Sequence, residues 1–310
     1  MPSIPSLPKT DHLDGVGYLF GAPIAHSMSP LLHGTVYRFL GLNWEQFLLE
    51  SLDIPMFINL INDSKCFGAS VTMPHKLAII PYLDDLTPEG RDVGAVNTIF
   101  FREKDGKKQL IGTNTDIVGI RESFYRNVSN PDAVFHKRPG MVVGGGGAAR
   151  SAVYALQRWM KCSPIYMVNR DRSEVADVIS ECKSRGFGDD LIDVATLKQA
   201  ETLEGPGAIV ACIPDFEPKT AAEKEARSVL QCMLNKPHKG AILEMAYHPS
   251  PWTTIGRLSQ EAGWRVILGT ESMIYQGFEQ NRYWTGKSID EMNVEECREV
   301  IAAKLREAKL

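Results

Sequence analysis

Pro139-Gly140-Met141-Val142-Val143-Gly144-Gly145-Gly146-Gly147-Ala148-Ala149 is the run on which the fold turns. Its first five residues read as a short buried strand, and the consecutive glycines then let the chain turn sharply. Beyond them Ala149, Val153, Leu156 and Met160 recur with the period of one helical face. Strand, glycine turn and helix in that order form the phosphate-binding corner of a dinucleotide fold. Gly144 suits the tight turn, Gly146 the close approach of backbone to a pyrophosphate, and Ala149 the third small position of G-x-G-x-x-G/A. Gly147 and Ala148 open the helix, where unpaired N–H groups and the positive dipole end favour an anion.

Working outward, further strands are expected at 165–168, 208–213, 241–245 and 266–268, separated by segments long enough for crossovers. Together they predict a doubly wound, Rossmann-like sheet. N-terminal to it, Val16-Gly17-Tyr18-Leu19-Phe20 and Phe67-Gly68-Ala69-Ser70-Val71 alternate with helical patterns such as 31–40, which predicts a separate α/β unit. Asn97 to Arg102 and Gln109 to Gly112 flank Asp105-Gly106, the signature of a hairpin, and this would draw Asn97 and Asp116 together. A helix is expected from 118 to about 127, and the C-terminal segment is helical again. The division predicted is 13–117 with 272–310 for one domain and 118–271 for the other, the final helices returning to the first.

Bulk properties narrow the function classes. The 310 residues, 44% hydrophobic and 23% charged, suit a globular chain of about two domains. A net charge of −4 without long Lys/Arg runs argues against nucleic acid as a partner. No apolar run is long enough to span a bilayer, and Met1-Pro2-Ser3-Ile4-Pro5-Ser6-Leu7-Pro8 reads as a flexible tail and not a signal peptide, so a cytoplasmic location is expected. The six scattered cysteines, with no C-x-x-C pair, fit a reducing compartment and no structural zinc. Cys66 and Cys212 lie in apolar runs that suit packing. Nothing in the chain sets an oligomeric state.

Chemistry concentrates between Gly68 and Asp116. Gly68-Ala69-Ser70-Val71-Thr72-Met73-Pro74-His75-Lys76, Gly94-Ala95-Val96-Asn97-Thr98 and Asn114-Thr115-Asp116 each follow a β-rich run. They offer an ammonium, an amide and a carboxylate to one polyhydroxylated ligand. Pro23-Ile24-Ala25-His26-Ser27-Met28-Ser29-Pro30 adds two hydroxyls on alternate residues; on an extended segment Ser27 and Ser29 would point the same way.

These blocks, in this order, resemble the shikimate/quinate dehydrogenase family, from about Tyr18 to Gln280. The resemblance implies that Lys76 and Asp116 carry the chemistry, the lysine relaying the hydroxyl proton while hydride leaves for a nicotinamide. It also implies that Ser27 and Ser29 hold the substrate carboxylate and that Thr72, Asn97, Tyr247 and Gln276 bind the rest of a small polyhydroxylated cyclic acid. His26 and His75 are expected to be structural. Ser70 stands where bacterial members often carry asparagine. Glu244-Met245-Ala246-Tyr247-His248-Pro249 resembles an Asp-x-x-Tyr-x-Pro segment with glutamate for aspartate, followed by a bulky Trp252. No metal is implied.

The same resemblance assigns Asn169 and Arg170, after the strand ending at Val168, to the adenosine half of the nucleotide, and Gly269 to the nicotinamide. Asp171 stands where NADP-using relatives carry threonine. Its charge would repel a 2′-phosphate, favouring NAD over NADP; Asp171 equally suits the cap of the helix that follows. Quinate, shikimate or both fit as substrate. An NADP-dependent biosynthetic shikimate dehydrogenase and a non-catalytic ligand sensor are the alternatives. Quinate carries its additional hydroxyl on the carbon that bears the carboxylate, and glycine at 29 would make room for it.

Overall fold

The computed structural model describes residues 8–248 and 250–307. The Pro-rich start up to Leu7 and Pro249 of the Tyr247 motif lie outside the described residues. The chain divides into two compact units, one reaching Thr115 and resuming at Gln276, the other Asp116–Tyr275.

The first unit is built on a mixed sheet. Its strands are β1 (Gly15–Gly21), β2 (Trp44–Glu50), β3 (Cys66–Val71), β4 (Asp85–Leu86), β5 (Thr98–Lys104) and β6 (Lys107–Thr113), in the order β2-β1-β3-β5-β6-β4. β1 runs parallel to both β2 and β3, whereas β5 is antiparallel to β3 and β6. The hairpin closes with Lys104 opposite Lys107, and Asp105 and Gly106 both take positive φ, 53° and 71°, as a two-residue I′-type turn requires. Phe20, Phe57, Ile61, Val71, Ile79, Val96 and Ile99 fill the core. The C-terminal helix Val294–Glu307 packs on helix Ser29–Phe39, so the last helices do return to this unit.

The second unit carries β7 (Gly140–Val143), β8 (Ile165–Val168), β9 (Leu191–Asp193), β10 (Ala208–Ala211), β11 (Ala241–Glu244) and β12 (Arg265–Leu268). All are parallel, in the order β12-β11-β10-β7-β8-β9. Numbered within the unit this is the 3-2-1-4-5-6 order of the dinucleotide-binding fold, with its switch point between β7 and β10. The strands β7, β8, β10 and β11 are buried throughout, as expected for a sheet covered on both faces.

Three details depart from the sequence reading. Helix Asp116–Asn127 starts two residues early, because an aspartate in the first turn complements the helix dipole. Helix Gly147–Tyr154 passes into a π-helical turn, Ala155–Trp159, where Met160 N–H bonds Ala155 O at 2.9 Å; Ala149, Val153, Leu156 and Met160 are nevertheless all fully buried. Strands β2, β4 and β9 were not anticipated. β2 buries Gln46 and turns Leu48 outward, against the polarity that alternation would assign.

Candidate functional site

In the first unit the end of β3 delivers Thr72 and Lys76. Thr72 N–H continues the sheet to Phe20 O at 2.9 Å, and its carbonyl accepts from His75 N–H at 2.9 Å, starting the short helix His75–Ala78 that carries half-buried Lys76. Val96 N–H donates to Lys76 O at 2.7 Å and fixes that helix beside the strand leading to Asn97. His75 is buried, stacked on Phe20 at 4.2 Å with Nε2 2.9 Å from Ser51 O. Both contacts are architectural.

Asn97, Thr115 and Gln276 form one cluster. Thr115 N–H donates to Asn97 Oδ1 at 2.8 Å, which orients the amide; Asn97 Nδ2 then donates to Thr115 Oγ1 at 2.9 Å and Gln276 Oε1 at 3.2 Å. The hairpin thus brings Asn97 to Thr115, the residue before Asp116. Asp116, buried, opens helix Asp116–Asn127 as the first residue of the second unit.

Ser27 and Ser29 are not an extended pair. Ser27 follows a turn closed by its N–H on Ile24 O at 2.9 Å, while Ser29 is the first residue of helix Ser29–Phe39, a start favoured by Pro30 with its preset φ. Ser27 Oγ accepts from Ser29 N–H at 3.2 Å, and Ser29 Oγ donates to Gln46 Oε1 at 2.8 Å.

That last bond leads into a buried network the sequence reading missed. Gln46 Nε2 donates to Ser70 Oγ at 3.0 Å, Ser70 Oγ to Gln280 Oε1 at 3.2 Å, and Gln280 Nε2 to Asn97 O at 3.2 Å and Thr98 Oγ1 at 2.9 Å. Thr98 Oγ1 donates on to Asn97 Oδ1 at 2.7 Å. Each member is buried, so the chain of bonds ties Ser29 rigidly to Asn97. Fully buried His33 flanks it, 3.1 Å from Gln280 Oε1 and 2.9 Å from Asn281 Oδ1. Burial pushes the His33 pKa down to about 4, so the ring is neutral. With Nε2–H on Gln280, Nδ1 must accept, which the Asn281 amide satisfies when its otherwise unpartnered Nδ2 is turned towards the ring. Gln46 and Gln280 lie far apart in sequence, and only their polarity inside apolar strand and helix patterns hinted at them.

In the second unit the residues present fit a dinucleotide. Gly144 takes φ +130°, and a Cβ there would stand 3.2 Å from Cys212 Cβ at the switch point. Space beside Gly146 is open, and no side chain caps helix Gly147–Tyr154, whose first residues are Gly147 and Ala148. Gly269 has a packing reason of its own: a Cβ would meet Met245 O at 2.3 Å.

After β8, Asn169 Nδ2 donates to Glu174 Oε2 at 2.6 Å, and that carboxylate borders the glycine loop, 2.7 Å from where a Gly145 Cβ would stand. Asp171 caps helix Arg172–Ser184, accepting from Ser173 N–H at 2.9 Å and Ser173 Oγ–H at 2.6 Å, and the Ser173 hydroxyl first, then its N–H, hold the carboxyl below its usual range. Arg172 pairs with Asp193. Arg170 lies over the Phe216 ring at 5.5 Å and pairs at 2.6 Å with Glu223, the capping-box carboxylate of helix Ala221–Leu234. Bonds from Thr220 N–H, Lys219 N–H and Arg170 draw the Glu223 pKa down to about 2.

Tyr247 is half-buried beyond β11. Glu244, at the end of that strand, is buried and accepts from Ala246 N–H and Thr253 Oγ–H, each at 3.1 Å; burial pushes its pKa up to about 8. The six cysteines are free, and burial raises the thiols of Cys66, Cys162, Cys182 and Cys297 to about 11 or 12. Among the described residues no cluster of His, Cys, Asp and Glu could hold a metal, and no helix is long and apolar enough to cross a membrane.

One unit carries a lysine and hydroxyl groups on a mixed sheet, and the other is a parallel sheet of dinucleotide order, the two parts expected of a nucleotide-dependent enzyme. Residues 19–99 match the shikimate dehydrogenase substrate binding domain. A quinate dehydrogenase of Emericella nidulans is 47% identical over 293 residues, 89% of this chain and 89% of that protein. The dehydroquinate dehydratase and shikimate dehydrogenase structure from S. pombe AroM is 29% identical with a TM-score of 0.74, covering 93% of this chain and 53% of that one. The quinate dehydrogenase of Corynebacterium glutamicum in complex with NAD shares the fold, with a TM-score of 0.77 at 19% identity over 94% of this chain and 99% of that one. The chain belongs to the shikimate/quinate dehydrogenase family.

Proposed function

We propose that this protein reversibly oxidises a ring hydroxyl of a polyhydroxylated cyclic acid, quinate to 3-dehydroquinate or shikimate to 3-dehydroshikimate, with NAD favoured over NADP. The 47% identity to a quinate dehydrogenase across nearly the whole length carries this reading. Lys76 takes the hydroxyl proton as the C–H bond breaks, and Asp116 orients the ammonium and a neighbouring substrate hydroxyl. Ser27, Ser29, Thr72, Asn97, Tyr247 and Gln276 hold the acid. Gly144, Gly146, Gly147 and Ala148 hold the pyrophosphate, and Asn169, Arg170 and Asp171 the adenosine, with Gly269 beside the nicotinamide. When bound, the nicotinamide supplies the hydride acceptor.

The NAD preference is supported by charge. Glu223 pairs with Arg170, the guanidinium that would otherwise receive a 2′-phosphate, and Asp171, close enough to feel the Arg170 charge, adds a second carboxylate. Steady-state rates with quinate and shikimate, each with NAD and NADP, test the reading. Turnover of at least one acid, faster with NAD, is expected; no turnover in all four combinations would overturn it.

A further inference from the structure

The buried network has a direction, and that direction ends on the Ser29 hydroxyl. Gln280 Nε2 faces the carbonyl of Asn97, which can only accept, so the Gln280 amide is fixed with Oε1 towards Ser70. Ser70 therefore spends its single hydroxyl proton on Gln280, and its oxygen must accept from Gln46 Nε2. The opposite Gln46 amide would set two acceptors against each other at 3.0 Å in a buried site. Gln46 Oε1 thus faces Ser29 and takes the Ser29 hydroxyl proton at 2.8 Å. Ser29 Oγ is left with lone pairs only. Ser27 is its complement: its oxygen accepts from Ser29 N–H, and among the described residues no protein acceptor takes its proton.

We propose that the two serines divide the labour, Ser27 donating to the substrate carboxylate and Ser29 accepting from a hydroxyl on the carbon that bears it, so that the pocket selects an α-hydroxy alicyclic acid. A carboxylate oxygen against Ser29 would be acceptor against acceptor. Quinate has the required hydroxyl and shikimate, with a ring double bond there, does not. This rests on reading the first unit as the acid site. It reverses the expectation from size alone, by which glycine at 29 would favour quinate. Gln46, Ser70 and Gln280 are positioning residues, acting through Ser29.

Calorimetric titration of the full chain with 1-hydroxycyclohexanecarboxylate and with cyclohexanecarboxylate tests the proposal without turnover. The hydroxy acid should bind at least about fivefold tighter, the worth of one buried hydrogen bond, and Ser29→Ala should bring the pair within about twofold. Gln46→Met, which returns the proton to Ser29, should narrow the gap too and lower the quinate-to-shikimate ratio of kcat/KM through KM, leaving kcat for quinate little changed. Equal binding of the two acids by the wild-type chain, or equal losses on both in Ser29→Ala, would overturn the proposal. Absence of turnover with quinate and shikimate, alongside tighter binding of the hydroxy acid, would instead remove the proposed reaction and leave the serine assignment standing.

Discussion

The two units place function in opposite kinds of interior. The second has a core of Met141, Val143, Val168, Ile209, Ala211 and Ile242 on all-parallel strands, and the residues proposed to hold the nucleotide lie at strand ends, in loops and helix starts. The first buries polar side chains deep in the sheet, Gln46 on β2, Ser70 on β3 and Thr98 on β5, joined by Gln280 from helix Gly269–Thr285. A dinucleotide is held largely by backbone N–H groups and helix dipoles, which any sequence with the right turn provides. A polyhydroxylated acid needs each donor and acceptor aimed, and a buried, fully bonded amide chain does the aiming.

If Lys76 carries the proton, its loss should break the first unit's chemistry and spare the second unit's ligand. Lys76→Ala should lower kcat by about 100-fold or more while nucleotide affinity, measured by fluorescence titration, stays near wild type. Asp116→Asn should also impair turnover, and the double variant should lose less than the product of the two effects.

The second unit's buried acid sharpens the contrast. Glu244 is protonated in the fold up to about pH 8 but has an ordinary pKa of 4.5 when unfolded. The folded state therefore binds the extra proton between those values. Its stabilisation is complete below pH 4.5 and is lost as pH rises through 8. Glu244→Gln should flatten that decline in denaturant midpoints between pH 5 and 8; an unchanged slope would show the carboxyl already ionised.

Gln280→Leu should unfold at lower urea, by about 1–3 kcal/mol, because Asn97 O and Ser70 Oγ lose a buried partner. A neutral result would mean that water replaces the amide and that the network's direction is not fixed. Smallest is the cofactor effect. Glu223→Gln releases Arg170 and should raise the NADP-to-NAD ratio of kcat/KM by about fivefold, as should Asp171→Thr, a modest effect of screened charge. No change with Asp171→Thr would leave that residue a helix cap only.

The same contrast explains what was legible in the sequence. β7, the glycine run and the following helical face were readable because apolar period and glycine chemistry are local signals, and so was the Asp105-Gly106 hairpin. Ser27, Ser29, Thr72 and Asn97 were readable as motifs. Their mutual bonding was not, since Gln46, Ser70 and Gln280 are joined by strand order, which no local pattern encodes. β2 escaped notice because a glutamine faces its core, and Glu223 because its role depends on where helix Ala221–Leu234 begins relative to Arg170.

The division of labour between the units is tested most directly by crossing two variants with two ligands. Gly146 has open space around its Cβ position, so Gly146→Val should fold normally and obstruct only what approaches the loop. Measured in binary complexes by calorimetry, Gly146→Val should weaken NAD at least about tenfold and leave 1-hydroxycyclohexanecarboxylate unchanged, while Ser27→Ala combined with Ser29→Ala should do the reverse. Loss of the acid in Gly146→Val with NAD retained, or loss of NAD in the serine variant with the acid retained, would contradict it.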